Sequence, residues 1–378
     1  MNALQILLQQ TVNGVQIGSV YALIAVGYTM VYGVLKFINF AHGDVYMVGA
    51  YTGFFTVTAI FASKAPAIQG VSALVLAMVA CSMLGLFIER LAYRPLRNGI
   101  QPSDAPAWSL FWSLYITLFL GGWLVNRSVL PPLLVYCVTF AGSSVVMYLL
   151  MRRLFASLSK KLRPSSDRLT ALITAIGVSL LLENQGAASF GVTPRAAQIK
   201  GVNGGKDITL PTLFSQHIKL SVGVGQIVVL VAALLLTAVL VYTVRFTSVG
   251  RSIRAVSLDR DAAALMGIPT DTVIAVTFLI GSALAGAAGM LNHMLTGIPF
   301  DSNIGIALGL KAFVAAVLGG IGSIEGAVLG ALLMGVAETF TSGSAFSPFK
   351  DAVAFVILIV VLLFKPSGLM GRYAPEKV

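Results

Sequence analysis

Ionisable and amide side chains inside apolar segments are the residues of this sequence that could carry chemistry. A charged or strongly polar group is costly at membrane depth, so each one is a candidate functional residue. The residues that fall within or beside apolar runs are Asn13, Asn39, His42, Asp44, Glu183, Asn184, Asn292, His293, Lys311, Glu325 and Glu338. Most of them lie near the ends of those runs, which weakens the argument for a role inside the membrane.

His42 and Asp44 are two residues apart and could form a proton relay. In a turn, however, such side chains more often satisfy backbone amides or contact a partner. The three histidines of the sequence, His42, His217 and His293, fall in separate segments without the spacing of metal ligands. We therefore expect no metal site. Lys311 could pair with Glu338 or Asp301, and a structural ion pair is its expected role.

The composition is that of a membrane protein. Of the 378 residues, 57% are hydrophobic and 10% are charged, whereas soluble domains have about a quarter of their residues charged. The 38 glycines suit helices that pack closely in lipid. The net charge of +11 fits loops that face anionic lipid and partner proteins, and no basic cluster interleaved with aromatic residues indicates nucleic-acid binding. Cys81 and Cys137 lie in apolar runs, so no disulfide framework is expected.

The apolar runs predict an all-α fold, a single polytopic transmembrane bundle over residues 1–378 with about 10–11 membrane segments. The predicted segments are 12–32, 45–62, 71–88, 106–125, 129–151, 169–186, 220–244, 272–295, 305–320, 324–341 and 351–364. Segment 305–320 is short and contains Lys311, so it is the candidate for a re-entrant or broken helix. No basic stretch precedes the first apolar run, which is therefore expected to remain as a span.

Clusters of lysine and arginine orient the predicted spans, because basic loops resist translocation. The stretches 89–97, 152–168 and 245–271 are basic and are expected in the cytoplasm. Alternation then places the N-terminus outside and the tail 365–378 inside. The polar stretch 190–219 becomes an external loop that is long enough to be a platform for a partner, although its four basic residues run against the charge rule.

The longest charged stretch between two apolar segments covers residues 245–271. It ends in Gly267 and Pro269, which stop a helix and turn the chain, so we expect a short cytoplasmic helix here. Within it, DAAALMG at 261–267 resembles the acid-Ala-Ala-x-x-x-Gly motif with which ABC-importer permeases seat a helix in their ATPase, with aspartate in place of the usual glutamate. An ordinary solvated loop that obeys the charge rule is the alternative. The residues predicted for ATPase coupling are Arg251, Arg254, Asp261, Ala262, Ala263 and Gly267.

Five stretches of the sequence closely resemble the LivH-type permeases of branched-chain amino-acid ABC importers. They are GSVYALIAVGYTMVYG at 18–33, INFAHGD at 38–44, ERLAYRP at 89–95, LTALITAIG at 169–177 and KAFVAAVLGGIGSI at 311–324. The resemblance covers nearly the whole chain. The family motif near the first cytoplasmic turn contains Asn39, His42, Gly43 and Asp44. Residues 98–164 depart from the family pattern and are expected to be an inserted pair of extra spans, which leaves the flanking topology unchanged.

The resemblance implies a permease subunit of an ATP-driven, binding-protein-dependent importer of branched-chain amino acids in the bacterial cytoplasmic (inner) membrane. The implied partners are a second related permease subunit, two cytoplasmic ABC ATPase subunits and a soluble periplasmic or external amino-acid-binding protein. ATP and Mg would be bound by the ATPase subunits, since this sequence contains no GxxxxGK[ST] motif and is not expected to be an enzyme. The candidates for lining the translocation path are Asn13, Lys311, Gly319 and Gly320.

Two alternatives to this function stay open at the level of sequence. One is a permease of the same family for urea or short amides, which would differ in path-lining residues that the sequence does not identify. The other is a secondary transporter that works alone. A secondary transporter would depend on a relay of membrane-embedded charges, and this sequence offers few.

Overall fold

The computed structural model describes residues 3–99, 105–117, 132–158, 168–199, 208–212 and 215–371. The chain divides into two compact units, of which the first comprises Met1–Gly85 with Ala175–Val378 and the second Leu86–Thr174. The helices in chain order are α1 (Ala3–Leu35), α2 (Ala41–Phe55), α3 (Pro66–Ile88), α4 (Arg94–Asn98), α5 (Ala105–Ile116), α6 (Pro132–Leu158), α7 (Arg168–Phe190), α8 (Val224–Phe246), α9 (Ser248–Leu258), α10 (Arg260–Leu265), α11 (Thr270–Thr296), α12 (Ile304–Gly319), α13 (Ile324–Ser342) and α14 (Ala352–Phe364). Strands β1 (Ile208–Thr212) and β2 (Ser215–Val222) form an antiparallel hairpin.

The prediction of a polytopic helical bundle is confirmed. Seven of the described helices are long and apolar enough to cross a membrane, and α12 and α14 are shorter apolar helices. Helix α2 continues into a π-helical turn, Thr56–Ile60, and together they match the second predicted segment. The two segments predicted at 106–125 and 129–151 reach into residues 118–131, which lie outside the described residues, as do residues 159–167 and 372–378.

Helix α1 is the centre of the first unit, because it packs against α13, α11, α12 and α8. Its residues 20–26 are at most 3% exposed. Glycines bring the neighbouring backbones close: a Cβ on Gly14 would lie 2.6 Å from the Cα of Val336, and one on Gly18 would lie 2.8 Å from the Cα of Leu332. Such close contacts provide the van der Waals packing that holds helices together in lipid. Because residue numbers rise along α1 while those of the facing residues in α13 fall, the two helices are antiparallel neighbours.

Helices α2 and α12 begin level with interior turns of longer helices rather than with their ends. His42, in the first turn of α2, lies over Gly27 of α1, and Gly27 in turn faces Gly281 of α11. The next residue, Gly43, packs on Gly305 in the first turn of α12. The two helices therefore start against each other inside the bundle, as the discontinuous helices of many transporters do. Helix α12 is the segment that the sequence predicted as re-entrant or broken.

The predicted external loop 190–219 contains strand β1 and most of strand β2, which the sequence did not predict. The predicted span 220–244 accordingly begins only at Val224. The side-chain amide of Gln9 donates to the carbonyl oxygen of Ser221 at 2.8 Å and accepts from the N–H of Ser221 at 3.0 Å. Gln9 thus pairs with the edge of β2 as a neighbouring strand would. Its side-chain amide satisfies both the N–H and the carbonyl oxygen of Ser221.

Arg195 joins several segments at one end of the first unit. Its backbone exchanges two hydrogen bonds with Phe300, of 2.8 and 2.9 Å. Its guanidinium donates to the carbonyl oxygen of Phe190 at 2.6 Å and lies over the rings of Phe54 and Phe55, 5.4 and 5.7 Å from their centroids. A guanidinium over aromatic faces is attracted by the ring quadrupoles. Arg195 therefore ties the end of α2, the end of α7 and the segment before α12 together.

The second unit contains α4, α5 and α6 with the adjoining ends of α3 and α7. Ala105, Met151 and Phe155 form a small buried cluster between α5 and α6. Trp108 packs edge-on against Phe155, with ring centroids 5.7 Å apart. The predicted insertion 98–164 falls within this unit.

Candidate functional site

Asp44 lies in the first turn of α2 and is only 1% exposed. Its Oδ2 accepts a hydrogen bond from the hydroxyl of Ser179 on α7. Its Oδ1 lies against Gly305 of α12 and has no hydrogen-bond partner among the described residues. An unused acceptor on a buried carboxylate is costly to desolvate. The site therefore favours a cationic or hydrogen-bond-donating partner.

The two helices that meet at Asp44 both begin without a side-chain cap. Phe40 and Asn303 occupy the N-cap positions of α2 and α12, and neither side chain makes a capping hydrogen bond. The first-turn N–H groups of a helix have no intrahelical partner and carry partial positive charge. The carboxylate of Asp44 thus lies between the N-terminal ends of two helices.

Two glycines make this head-to-head contact sterically possible. A Cβ on Gly43 would overlap the carbonyl oxygen of Gly305, and a Cβ on Gly309 would lie 2.9 Å from the Cα of Gly43. Asn39 is 3% exposed, and its carbonyl oxygen accepts a hydrogen bond of 3.1 Å from the N–H of His42. The four predicted motif residues therefore lie together at the contact of α2 with α12.

A cavity of about 150 Å³ adjoins this contact. It is lined by Tyr28, Phe40, Ile176, Ser179, Leu180, Ile306, Gly309 and Leu310. The polar side chains of its wall are Tyr28, which also faces the backbone of Gly43, and Ser179, which donates to Asp44. An apolar wall with a few convergent polar groups is typical of a small-molecule site.

His42 and Asp44 are not arranged as the proton relay that the sequence left open. Both lie in helix α2 rather than in a turn, and residues two apart in a helix do not face each other. The ring of His42 packs edge-on against Tyr28 with centroids 4.7 Å apart and contacts the backbone of Ile24. Its Nε2 lies over Gly27 without a hydrogen-bond partner among the described residues. No group of three or more metal-ligating side chains occurs in the described part of the chain.

Lys311 joins two carboxylates at another place in the first unit. Its Nζ lies 2.6 Å from Oε1 of Glu338 and 2.6 Å from Oδ1 of Asp351. The hydroxyl of Tyr21 donates to Oε2 of Glu338 at 2.7 Å. The second carboxylate is Asp351 rather than Asp301, which instead accepts from the backbone N–H two residues further on. The cluster links α1, α12, α13 and the start of α14, which is the geometry of a structural ion pair.

The other residues predicted to line a path lie apart from the cavity. Asn13 accepts a hydrogen bond of 3.1 Å from Gln9, one turn earlier in α1. Gly319 is the last residue of α12 and packs on Gly326 of α13, and Gly320 has a φ of 104°. Because that φ strains any residue with a Cβ, these glycines make the tight turn between α12 and α13. The structure does not bring Asn13, these glycines and the lysine together.

The predicted coupling loop forms two short helices, α9 and α10, rather than one. The hydroxyl of Thr247 accepts from the N–H of Gly250 at 3.2 Å and caps α9. The carboxylate of Asp259 accepts from the N–H groups of Asp261 and Ala262, both at 2.9 Å, and caps α10. Asp259 has a β-region backbone, which interrupts the helix. This side-chain competition for backbone N–H groups is the physical reason for the break.

Arg254 is turned towards its own chain. Its guanidinium donates to the carbonyl oxygens of Val244 and Arg245, at the C-terminal end of α8. These are carbonyls that the helix end leaves without intrahelical partners. The structure therefore places Arg254, a predicted coupling residue, at the corner between α8 and α9. Arg251 is exposed.

Three large apolar side chains stand out on the loop. Leu258, Leu265 and Met266 are 87%, 89% and 83% exposed, and we call them the coupling surface. Ala263 of the DAAALMG motif is buried beneath them, whereas the preceding aspartate and alanine are exposed. Gly267 ends the motif with a φ of 83°, a conformation that favours glycine. Exposed apolar side chains in a polar loop are suited to contact with a partner.

Sequence reasoning did not find Ser179 and Tyr28, which supply the polar side chains of the cavity wall. A single hydroxyl in an apolar helix has no spacing pattern that would single it out. Tyr46 was missed in the same way, although its hydroxyl bonds His293 and accepts from Asn292, both at 2.9 Å. Both of those polar partners were candidates from the sequence.

Comparison with known proteins gives the family. The model for "Branched-chain amino acid transport system / permease component" matches residues 10–362. The permease LivH of Escherichia coli K12 is 36% identical over 381 residues, covering 98% of this chain and 97% of that protein. The permease BraD of Pseudomonas aeruginosa is 35% identical, covering 98% of each.

A more distant relative is the autoinducer 2 import permease LsrC of Escherichia coli O9:H4, which is 30% identical over 138 residues, covering 35% of this chain and 40% of LsrC. No solved structure matches the chain. The similarity to LivH and BraD extends from end to end, through the helices that form the α2–α12 contact and the coupling surface. The chain therefore belongs to the branched-chain amino acid transport system permease family.

Proposed function

We propose that this chain is the transmembrane permease subunit of an ATP-driven, binding-protein-dependent importer of branched-chain amino acids. The observation that carries the proposal is the end-to-end similarity to LivH and BraD, both described as high-affinity branched-chain amino acid transport permeases. The fold supports it, since α2 and α12 begin inside the bundle beside a largely apolar cavity. Such discontinuous helices surround the substrate in many transporters.

The coupling surface is the proposed contact with an ATPase subunit. Leu258, Leu265 and Met266 form an apolar contact area, and the exposed Arg251 adds a charge at its side. Helix α9 packs against α8, α1 and α11, so a force applied to it reaches the centre of the bundle. ATP and Mg would be bound by two such ATPase subunits in the cytoplasm. A second related permease subunit and a soluble amino-acid-binding protein complete the proposed complex.

The proposed location is the bacterial cytoplasmic membrane, with the N-terminus outside and the C-terminus inside. The basic stretch that contains α9 and α10 supports this orientation by the positive-inside rule. The hairpin β1–β2 and the Arg195 cluster then lie on the outer side, where a binding protein would dock.

Reconstitution with the proposed partners tests the function. The permease, the second permease, the ATPase subunits and the binding protein are assembled in liposomes, and uptake of leucine, isoleucine, valine and urea is measured with ATP inside. Uptake of the three amino acids that needs both ATP and the loaded binding protein is the expected result. Uptake of urea alone, or amino-acid uptake without nucleotide, would contradict the proposal.

The coupling surface is tested with Leu265→Asp. A charge at this exposed position should weaken ATPase docking at least about tenfold, since it replaces an apolar contact with a group that must be desolvated. Phe346→Asp is the matched control, because Phe346 is also exposed but lies after the C-terminal end of α13, outside the loop 245–271. Co-purification of the ATPase and its stimulated activity are the measurements. Equal ATPase retention in the two variants would refute the assignment of the docking surface.

A further inference from the structure

We propose that the cavity beside Asp44 is a binding site for the zwitterionic head group and aliphatic side chain of one amino acid in transit. The ammonium group is placed on the Ser179–Asp44 pair and the carboxylate on the first turn of α12. The inference rests on the proposed function, and it adds the chemical groups that recognise the substrate inside the membrane.

The cavity has the size and lining that a branched aliphatic side chain needs. Its volume is about 150 Å³, about ten times the space that one water molecule needs by the same measure. Ile176 and Leu180 of α7 and Ile306 and Leu310 of α12 supply the apolar part of its wall. Burial of apolar surface against these residues favours leucine, isoleucine or valine over a small polar amide.

The ammonium position follows from the free acceptor on Asp44. Ser179 stands in the cavity wall and donates its proton to Oδ2 of Asp44, so its own oxygen lone pairs are left to accept. Behind it, Oδ1 of Asp44 is buried and has no hydrogen-bond partner among the described residues. A ligand ammonium at Ser179 would satisfy the hydroxyl oxygen and compensate the buried negative charge. Both groups gain, because an opposite charge is strongly attractive where water is excluded.

The carboxylate position follows from the uncapped start of α12. Asn303 provides no side-chain cap, and Ile306 of the first turn lines the cavity. Gly305 packs against Asp44 and Gly43, so Ile306 is the first-turn residue of α12 that faces the ligand. A helix N-terminus attracts a carboxylate through its first-turn N–H groups and the helix dipole. The site therefore offers one anionic and one positively polarised group, as a zwitterionic amino acid requires.

This pairing discriminates between the two cargo classes that the sequence left open. Urea and short amides have no charge to place on Asp44, so they would leave the carboxylate uncompensated. A site that is built to bind a charged group rejects the analogue that lacks it, since its own buried polar groups are then left unpaired. Binding need only be weak, because a transport site must release its cargo.

Equilibrium binding to the full-length permease, purified without its partners, tests the site. Leucine, leucinamide and 4-methylpentanoate are compared, because the last two lack one charge each. Wild type should bind leucine at least about tenfold tighter than either analogue, a difference of about 1.4 kcal/mol. Asp44→Asn should bring leucine and 4-methylpentanoate to within about threefold of each other. Ser189→Ala, on the exposed end of the same helix as Ser179, is the control and should behave as wild type.

Two outcomes overturn the proposal: an unchanged ratio between leucine and 4-methylpentanoate in Asp44→Asn, or no binding to wild type up to about 10 mM leucine, a range that covers weak sites. Should Asp44→Asn fail to fold, Ser179→Cys in a Cys137→Ser background replaces it. Leucine, but not urea, should then slow thiol modification at position 179. Equal modification rates with and without leucine overturn the proposal as well.

Failure of this site is distinguishable from failure of the proposed function. In the assembled complex, Asp44→Asn should lose uptake but keep ATPase stimulation by the loaded binding protein, since the coupling surface is untouched. Absence of ATP-dependent uptake in the wild-type complex would remove the proposed function, while the binding comparison on the isolated permease would still decide the cavity.

Discussion

Replacement of Lys311 by methionine is the sharpest test of how the first unit is held together. The side chains of Lys311 and Glu338 are only 13% and 10% exposed, whereas that of Asp351 is 66% exposed. Lys311→Met keeps the length and the apolar stem but removes the charge. It leaves Glu338 buried with the hydrogen bond from Tyr21 as its remaining support.

The expected loss of stability is about 3 kcal/mol, the lower end of the range for breaking a buried ion pair, because some water reaches both groups. Loss of the exposed Asp351 contact in Asp351→Asn should cost about 1 kcal/mol or less. The double variant Lys311→Met with Glu338→Gln should recover at least half of the loss, since no uncompensated charge then remains. Lys350→Met removes an exposed neighbouring charge and is the control, expected within about 0.5 kcal/mol of wild type.

Unfolding in mixed micelles, titrated with SDS and followed by far-UV circular dichroism, measures these differences, because most of the described helices belong to the first unit. The order of stability should be wild type and Lys350→Met first, then Asp351→Asn, then the double variant, then Lys311→Met. A double variant no more stable than Lys311→Met would show that the uncompensated carboxylate is not the source of the loss. An Asp351→Asn variant as unstable as Lys311→Met would refute the conclusion that the buried Lys311–Glu338 pair contributes most of the stability of the cluster.

Two further predictions follow from single contacts. Gly43→Ala should prevent the close approach of α2 to α12 and lower the stability by at least about 2 kcal/mol in the same titration, because the added Cβ overlaps backbone atoms. The control Gly33→Ala, with nothing within 4 Å of its added Cβ, should be neutral or slightly stabilising. Equal effects of the two substitutions would contradict the packing argument. The hydrogen bond from its lysine partner lowers the pKa of Asp351, so this contact contributes stability at neutral pH and loses it as pH falls below about 4. The stability difference between wild type and Asp351→Asn should therefore disappear on acidification. A difference that stays constant from about pH 7 to about pH 3 would refute the attribution to the ionised carboxylate.

The apolar spans could be predicted from sequence because their signal is local. Runs such as 272–295 and 324–341 are long and apolar, and the structure extends them by only one or two residues, to Thr270–Thr296 and Ile324–Ser342. The short run 305–320 was correctly singled out as unusual. Strands β1 and β2 were missed, because the pairing of β2 with β1 and with Gln9 is a tertiary fact that no local propensity reports.

Site residues divide in the same way. The stretch from Asn39 to Asp44 was identifiable through a family resemblance, but its role was not. Ser179 is 135 positions away from Asp44 along the chain, and only folding brings its hydroxyl to the carboxylate. Arg254 was predicted as a coupling residue from its place in the charged loop, and the sequence does not show the helix end that it caps.

Sequence alone determined that this is a membrane protein, that its fold is helical and which family it belongs to. These properties depend on composition and on local runs, which survive without knowledge of any contact. Tertiary structure decided that α2 and α12 begin against each other, that Asp44 lies between their N-terminal ends, and that Lys311 pairs with Glu338 and Asp351. Each of these depends on the approach of distant segments, because helices in lipid are positioned by close packing of small residues and by the few polar groups that must find partners.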